Sequence, residues 1–214
     1  MKTYLLLDHT HAEPLPPEFQ DDDVRYPDSL VRHFLQEYTR PGDRVFDPFA
    51  GFGTTLVAAQ ALGRAGYGLE LDPAKLRYAR SRLHQPEHLL HGDARRLLNY
   101  DLPTFAFSMT SPPFMTRDEI DDPLTDYRAS GRGYRAYLDD LRGVYAALRQ
   151  RMQPAGVVVL EVANLKIGGL LTTLAWDVAE QIGRVLHFDG EVVVCWDGYG
   201  YGYDHSYCLV FSVI

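Results

Sequence analysis

Apolar β-branched runs alternate along this chain with segments whose apolar residues recur at helical spacing, which predicts an α/β fold around a mainly parallel sheet. Seven strands are expected, at 44–48, 65–71, 88–92, 104–110, 156–163, 190–196 and 206–213. Helices are expected near 28–39, 54–62, 73–84, 134–152 and 170–185, the first capped by Asp28 or Ser29. No helical segment separates the last two strands, which DGYGYGYDH joins, so these are expected to pair antiparallel. The acidic, proline-bearing stretch 13–23 and this glycine-tyrosine link are the biased segments, and there is no internal repeat.

The pattern first becomes chemistry at VFDPFAGFGTT. A strand ends at Asp47, Gly51 and Gly53 let the backbone approach a ligand, and Thr54 and Thr55 open a helix whose free amides attract negative charge. No lysine follows the last glycine, as a phosphate loop requires, and the third glycine of the dinucleotide fingerprint is missing. The next strand ends in GLELDP, and an acid at that edge of an α/β sheet is placed to hold a ribose diol. Glu70 is assigned that role, while Asp72, followed by Pro73, is read as a helix cap. A third strand ends in HGDAR, where Asp93 is placed to accept a hydrogen bond from an adenine amino group. An acid after a strand is most often a cap, but three consecutive strand ends, a glycine turn followed by Glu70 and Asp93, point to an adenosine-containing ligand.

The fourth strand ends in TSPPF at the same edge. An exocyclic amine on a base is a poor nucleophile because its lone pair is delocalised, so a catalyst must aim acceptors at its hydrogens. Ser111 offers a hydroxyl, the carbonyl of Pro112 is fixed by the diproline with Pro113, and Phe114 offers a ring on which an extruded base stacks.

Composition narrows the classes. The 214 residues are 46% hydrophobic, enough for one substantial core. No apolar run reaches the length of a membrane span and the start is unlike a secretory signal, so a cytoplasmic protein is expected. Cys195 and Cys208 are read as buried thiols, the histidines as structural or surface residues, and no metal site is assigned. A net charge of −8 argues against a protein that simply coats duplex, and asks for locally concentrated positive charge.

DPFAGFGTT, GLELDP, HGDA and TSPPF, with RYPDSLV before them and DHSYCLVF near the end, resemble the S-adenosylmethionine-dependent amino-methyltransferases that modify cytosine N4 or adenine N6 in DNA. The likeness spans about residues 26–211. It implies a Rossmann-like seven-stranded methyltransferase sheet, mainly parallel with an antiparallel last strand and helices on both faces. It also implies an N-terminal extension over 1–25 and one cofactor-binding domain over 26–214. By the same resemblance Asp47, Phe49, Gly51 and Gly53 flank the methionine part of S-adenosylmethionine, Glu70 its ribose and Asp93 its adenine, while Ser111–Phe114 meet the target amine and RYPDSLV helps to close the methionine end. The serine heading the tetrapeptide resembles the cytosine-N4 members more than the adenine members.

In many DNA enzymes with this style of glycine motif the tetrapeptide comes first, whereas here it follows. About twenty residues separate Phe114 from the helix near 134, too few for a recognition domain of roughly fifty or more. Nucleic acid is the expected partner, DNA ahead of RNA, and a second copy or a recognition subunit stays open. Within that loop and the following turn, Arg117, Arg128, Arg132, Tyr134 and Arg135 form a basic and aromatic cluster suited to phosphates and unstacked bases, or else a solvated surface. The glycine-tyrosine link over 198–203 is read as a hairpin turn covering the core or as an aromatic lid.

Overall fold

A computed structural model of the chain describes residues 2–11, 13–197 and 204–214. The strands are β1 (Tyr4–Asp8), β2 (Arg44–Asp47), β3 (Ala65–Glu70), β4 (Leu89–His91), β5 (Phe105–Thr110), β6 (Met152–Val162), β7 (Leu165–Ile167), β8 (Leu170–Thr172), β9 (His187–Asp197) and β10 (His205–Ser212). The helices are α1 (Asp28–Tyr38), α2 (Thr54–Ala61), α3 (Pro73–Ser81), α4 (Tyr134–Arg149) and α5 (Leu174–Ile182). Eight strands form one sheet in the order β1-β9-β10-β6-β5-β2-β3-β4, with β10 antiparallel to both its neighbours and every other pairing parallel. All seven expected strands are in it.

The seven-strand expectation is corrected to eight, because YLLLD pairs with β9 from Tyr4↔Val193 to Asp8↔Asp197 at the sheet's edge. The expected helix over 170–185 is shortened: Leu165–Ile167 and Leu170–Thr172 form a small antiparallel hairpin. Gly168 and Gly169 turn it, at φ 57° and 80°, and so the helix begins only at Leu174. Neither Asp28 nor Ser29 caps α1. Pro27 holds that position, and Asp28 instead pairs with Arg32 one turn on, at 2.9 Å. The link over 198–203 lies outside the described residues.

Side chains alternate across the central strands, as a sheet covered on both sides requires. Val45, Phe107, Met109 and Val159 pack with Leu30, Phe34 and Leu35 of α1 and Ala58 and Ala59 of α2. On the other face Phe46, Val158 and Leu160, with Phe105 beyond an irregularity in the β5–β6 register, pack with Leu141, Tyr145 and Leu148 of α4 and Val178 and Ile182 of α5. The chain runs from β2 outward through β3 to β4, then returns to place β5 on the other side of β2. The strand order therefore reverses between β2 and β5, and the crevice beyond their carboxyl ends is where open α/β sheets hold ligands.

Leu160 is fully buried, whereas Leu6 on the edge strand is 73% exposed. Leu160→Ala is expected to cost ~2–5 kcal/mol in equilibrium denaturation. Leu6→Ala is expected to stay within about 0.5 kcal/mol of the parent.

Candidate active site

After β2 the chain makes a turn in which Gly51 (φ 52°) and Gly53 (φ 83°) take left-handed conformations that a side chain would strain. A Cβ on Gly53 would also lie 3.1 Å from that of Ala79 on α3. One carboxylate fixes the turn. Glu70, closing β3, accepts the Gly51 amide on Oε2 at 2.6 Å and the Asp72 amide on Oε1 at 2.7 Å. Asp72 then caps α3, accepting from the amides of Ala74 (2.6 Å) and Lys75 (2.8 Å) as the sequence led us to expect. Asp47, Phe49, Gly51, Thr54 and Glu70 line one cleft of about 230 Å³ beyond the strand ends. Gly53 and Thr55 shape the turn from outside that lining. The Thr55 hydroxyl is fully buried, donating to the Met109 carbonyl at 3.3 Å and meeting the Tyr26 hydroxyl at 2.5 Å. Tyr26, the tyrosine of RYPDSLV, thereby ties the segment before α1 to the start of α2, and it also lines the cleft.

Asp47 is almost fully buried. Burial raises its carboxyl to about 6, against the opposing pull of the Thr110 hydroxyl, the Phe49 amide and the Thr55 hydroxyl. Glu70 is likewise raised by burial, less so because the Asp72 and Gly51 amides favour its ionised form. Asp93 also lines the cleft, but its carboxylate is engaged. It caps the turn over 94–99 through the Arg95 amide at 2.9 Å and accepts the Arg95 guanidinium, the shortest contact being 2.8 Å. Burial works to raise its pKa, yet Arg95 outweighs it and holds the carboxyl below its usual range. An adenine amino group would have to share Asp93 with that guanidinium.

Ser111, Pro112, Pro113 and Phe114 follow β5 and line the same cleft. Two carbonyls of the turn are taken: Tyr137 of α4 donates its hydroxyl to Pro113 O, and Tyr127 donates to Phe114 O, both at 2.8 Å. Tyr137 holds the turn from outside the cleft lining, whereas Tyr127 lines the cleft beside it. Tyr127 and its neighbour Asp126 both adopt left-handed conformations, at φ 55° and 56°, unusual for residues with side chains. Asp126 pairs with Lys75 at 3.4 Å, so the loop leans over the cofactor side of the cleft.

The arginines do not form a free basic surface. Arg117 pairs with Asp177 at 3.0 Å, Arg128 with Asp72 at 2.5 Å and Asp126 at 3.0 Å, and Arg132 with Asp140 at 2.8 Å. Tyr134 gives its hydroxyl to the same Asp177 at 2.8 Å, and burial with that carboxylate pushes its pKa far up. Arg135 is exposed near the start of α4. None of Arg117, Arg128, Arg132, Tyr134 and Arg135 lines the cleft. Among the lining residues that sequence reasoning did not single out are Glu161 of β6, Lys75 of α3, and Leu124 and Asp126 of the loop after Phe114. For Glu161 the available signal was a lone acid inside the apolar run VVVLEV.

Residues 15–81 match the DNA methylase family that covers N6 and N4 amino-methyltransferases. Among curated proteins, the type II methyltransferase M2.DpnII of Streptococcus pneumoniae is 40% identical over 57 residues, 27% of this chain and 21% of that protein. The DNA adenine methyltransferase YhdJ of Escherichia coli is 31% identical over 81 residues, 38% of this chain and 28% of that protein. The matched stretch thus spans between about a fifth and just over a quarter of these relatives' length. In fold, a class I S-adenosylmethionine-dependent methyltransferase from Listeria monocytogenes superposes with a TM-score of 0.61 at 15% identity, over 87% of this chain and 58% of that one. TrmN from Thermus thermophilus gives 0.59 at 20% identity, over 87% and 49%. The matched segment is the one that carries the glycine turn and Glu70; over it the chain is similar to the DNA methylases, and its sheet has the fold of S-adenosylmethionine-dependent methyltransferases.

Proposed function

We propose that this protein transfers a methyl group from S-adenosylmethionine to the exocyclic amine of a nucleic-acid base, with cytosine N4 in DNA as its target. The observation that carries the reading is the meeting of the glycine turn, Glu70 and the Ser111–Phe114 turn around one cleft. The residues suit the cofactor. The backbone at Gly51 is bare, the Glu70 carboxylate retains lone pairs for a diol beyond its two amides, and Phe49 supplies apolar wall. The bound cofactor supplies an electrophilic methyl group on a sulfonium.

The rest is done by the chain. Asp47 faces the cationic methionine end, and Glu70 orients the ribose. The Pro112 carbonyl and the Ser111 hydroxyl accept the two hydrogens of the amine, drawing its lone pair out of conjugation, while Phe114 stacks on the base. Tyr137 and Tyr127 keep the turn from yielding as the amine closes on the methyl group. Transfer is direct and in line, with no covalent enzyme intermediate. Ser111 in place of an acidic or amide head residue supports cytosine. The adenine reading draws on the printed name of one relative, a DNA adenine methyltransferase.

Incubation of the protein with labelled S-adenosylmethionine and matched DNA and RNA pools, followed by nucleoside mass spectrometry, is expected to yield N4-methylcytosine in the DNA. N6-methyladenine alone would overturn the base assignment, and product only in RNA the polymer. Glu70→Gln is expected to weaken calorimetric cofactor binding roughly ten- to a hundredfold, the ~1.5–3 kcal/mol of a charge-assisted bond. Unchanged affinity would remove Glu70 from the cofactor site. Because Asp47 titrates at about 6 and only its ionised form attracts a cationic ligand, affinity is expected to rise with pH through that value. Asp47→Asn should flatten the rise, and a parent whose affinity is flat between about pH 5 and 7.5 would show that Asp47 does not face the cofactor's charge.

A further inference from the structure

Glu161 is the one buried carboxylate of the cleft that the foregoing mechanism leaves idle. It lies near the carboxyl end of β6, one residue beyond the Leu160↔Thr110 pair, which sets it beside Ser111. It lines the same cleft as Ser111, Tyr26 and Asp47 and is only 6% exposed. Its Oε1 has no hydrogen-bond partner among the described residues. An ionisable group is costly to bury in this way, and an apolar side chain would fill a purely structural position on β6 at less cost. The surroundings are arranged to keep it poised. Ser206 on β10 accepts the Trp196 indole N–H at 2.9 Å, which leaves the serine's own hydrogen for the carboxylate. The Ser111 hydroxyl acts on Glu161 in the same sense from the other side.

We propose that Glu161 is the proton acceptor of the amine transfer, acting with Ser111 as a paired acceptor for the target nitrogen. This deepens the function proposed above and rests on it. As the amine's lone pair forms the new N–C bond, the S–C bond breaks with its electrons staying on sulfur, and positive charge gathers on the nitrogen. The free oxygen of Glu161 stabilises that charge and then takes the nitrogen's proton, directly or through the Ser111 hydroxyl. The products are a neutral methylamino group, a neutral thioether and a protonated Glu161, which returns its proton to water when the product leaves. An acid at the head of the tetrapeptide is thus unnecessary here, because the carboxylate is supplied from the next strand.

The titratable groups facing Glu161 are the Tyr26 hydroxyl, from the segment before α1, and the Cys208 thiol, directly across on β10. Both are neutral at working pH, each being pushed well up by burial. Burial also raises Glu161 above the usual carboxylate range, while the Ser206 and Ser111 hydroxyls restrain the shift. A base must be ionised, so transfer falls as pH drops through its pKa.

The test is single-turnover methyl transfer against pH, at saturating S-adenosylmethionine so that titration of Asp47 and Glu70 on the cofactor side does not enter. The variants are Glu161→Gln and Glu161→Asp, with melting temperature and calorimetric cofactor affinity measured alongside. In the parent the rate should fall tenfold per pH unit on the acid side. Glu161→Gln should lose about a hundredfold or more at neutral pH and lose that acid limb, with fold and cofactor affinity kept. Glu161→Asp should recover part of the rate and the limb. An unchanged acid limb in Glu161→Gln, a rate within a few-fold of the parent, or loss of cofactor affinity in step with activity would overturn the proposal. A parent that methylates no nucleic acid at all would instead overturn the proposed function itself.

Discussion

The Glu70 carboxylate fastens the turn after β2 to the turn after β3, beyond the point where the ladder between these strands ends at Asp47↔Gly68. One oxygen holds the amide of Gly51 in the turn after β2, and the other holds the amide of Asp72 beyond β3. Gly51 could adopt many backbone conformations, and this bond selects one of them. The selected turn determines where α2 begins, and Asp72, held by the same carboxylate, determines where α3 begins. The starts of both helices beside the cleft are therefore tied to one buried acid. Its burial is offset by two charge-assisted bonds, an arrangement that a neutral side chain of the same shape would match only in part.

The sheet was largely readable because strands covered on both faces are short apolar runs between turn residues, and seven such runs occur. What escaped was decided at long range. YLLLD is too brief to stand out beside the polar residues that follow, and its partner β9 lies almost at the other end of the chain. The β7–β8 hairpin did carry a local signal, the Gly168–Gly169 pair, but LLTTLA beyond it reads equally well as the start of a helix. At Asp28 a cap was expected where the ion pair with Arg32 prevailed, with Pro27 already fixing the entry to α1.

Within the site, the backbone-shaping residues were easier to read than the charges. Gly51, Gly53 and the diproline act through their own conformations, so the local sequence contains most of the information. Asp93 and the arginines act through partners. A carboxylate two residues before an arginine can look outward to a ligand or fold back on its neighbour, and Asp93 folds back onto Arg95. Glu161 was hidden for a related reason: its significance comes from facing Ser111 across two strands, which no spacing along the chain reveals.

The ion pairs of the 117–132 segment change what positive charge means in this molecule. Each arginine there is already neutralised by an aspartate on a neighbouring element, so a phosphate must displace a tethered carboxylate rather than a mobile anion. Displacing a tethered carboxylate frees no anion from the protein, so the ions released are only the cations condensed on the phosphates. The exchange would also uncouple Arg128 from Asp72, leaving the Lys75–Asp126 pair to hold the loop to the helix that Asp72 caps. Under the proposed function, the protein's own aspartates act as built-in rivals of the nucleic-acid backbone, favouring a strand that can supply several phosphates at once over a lone anion.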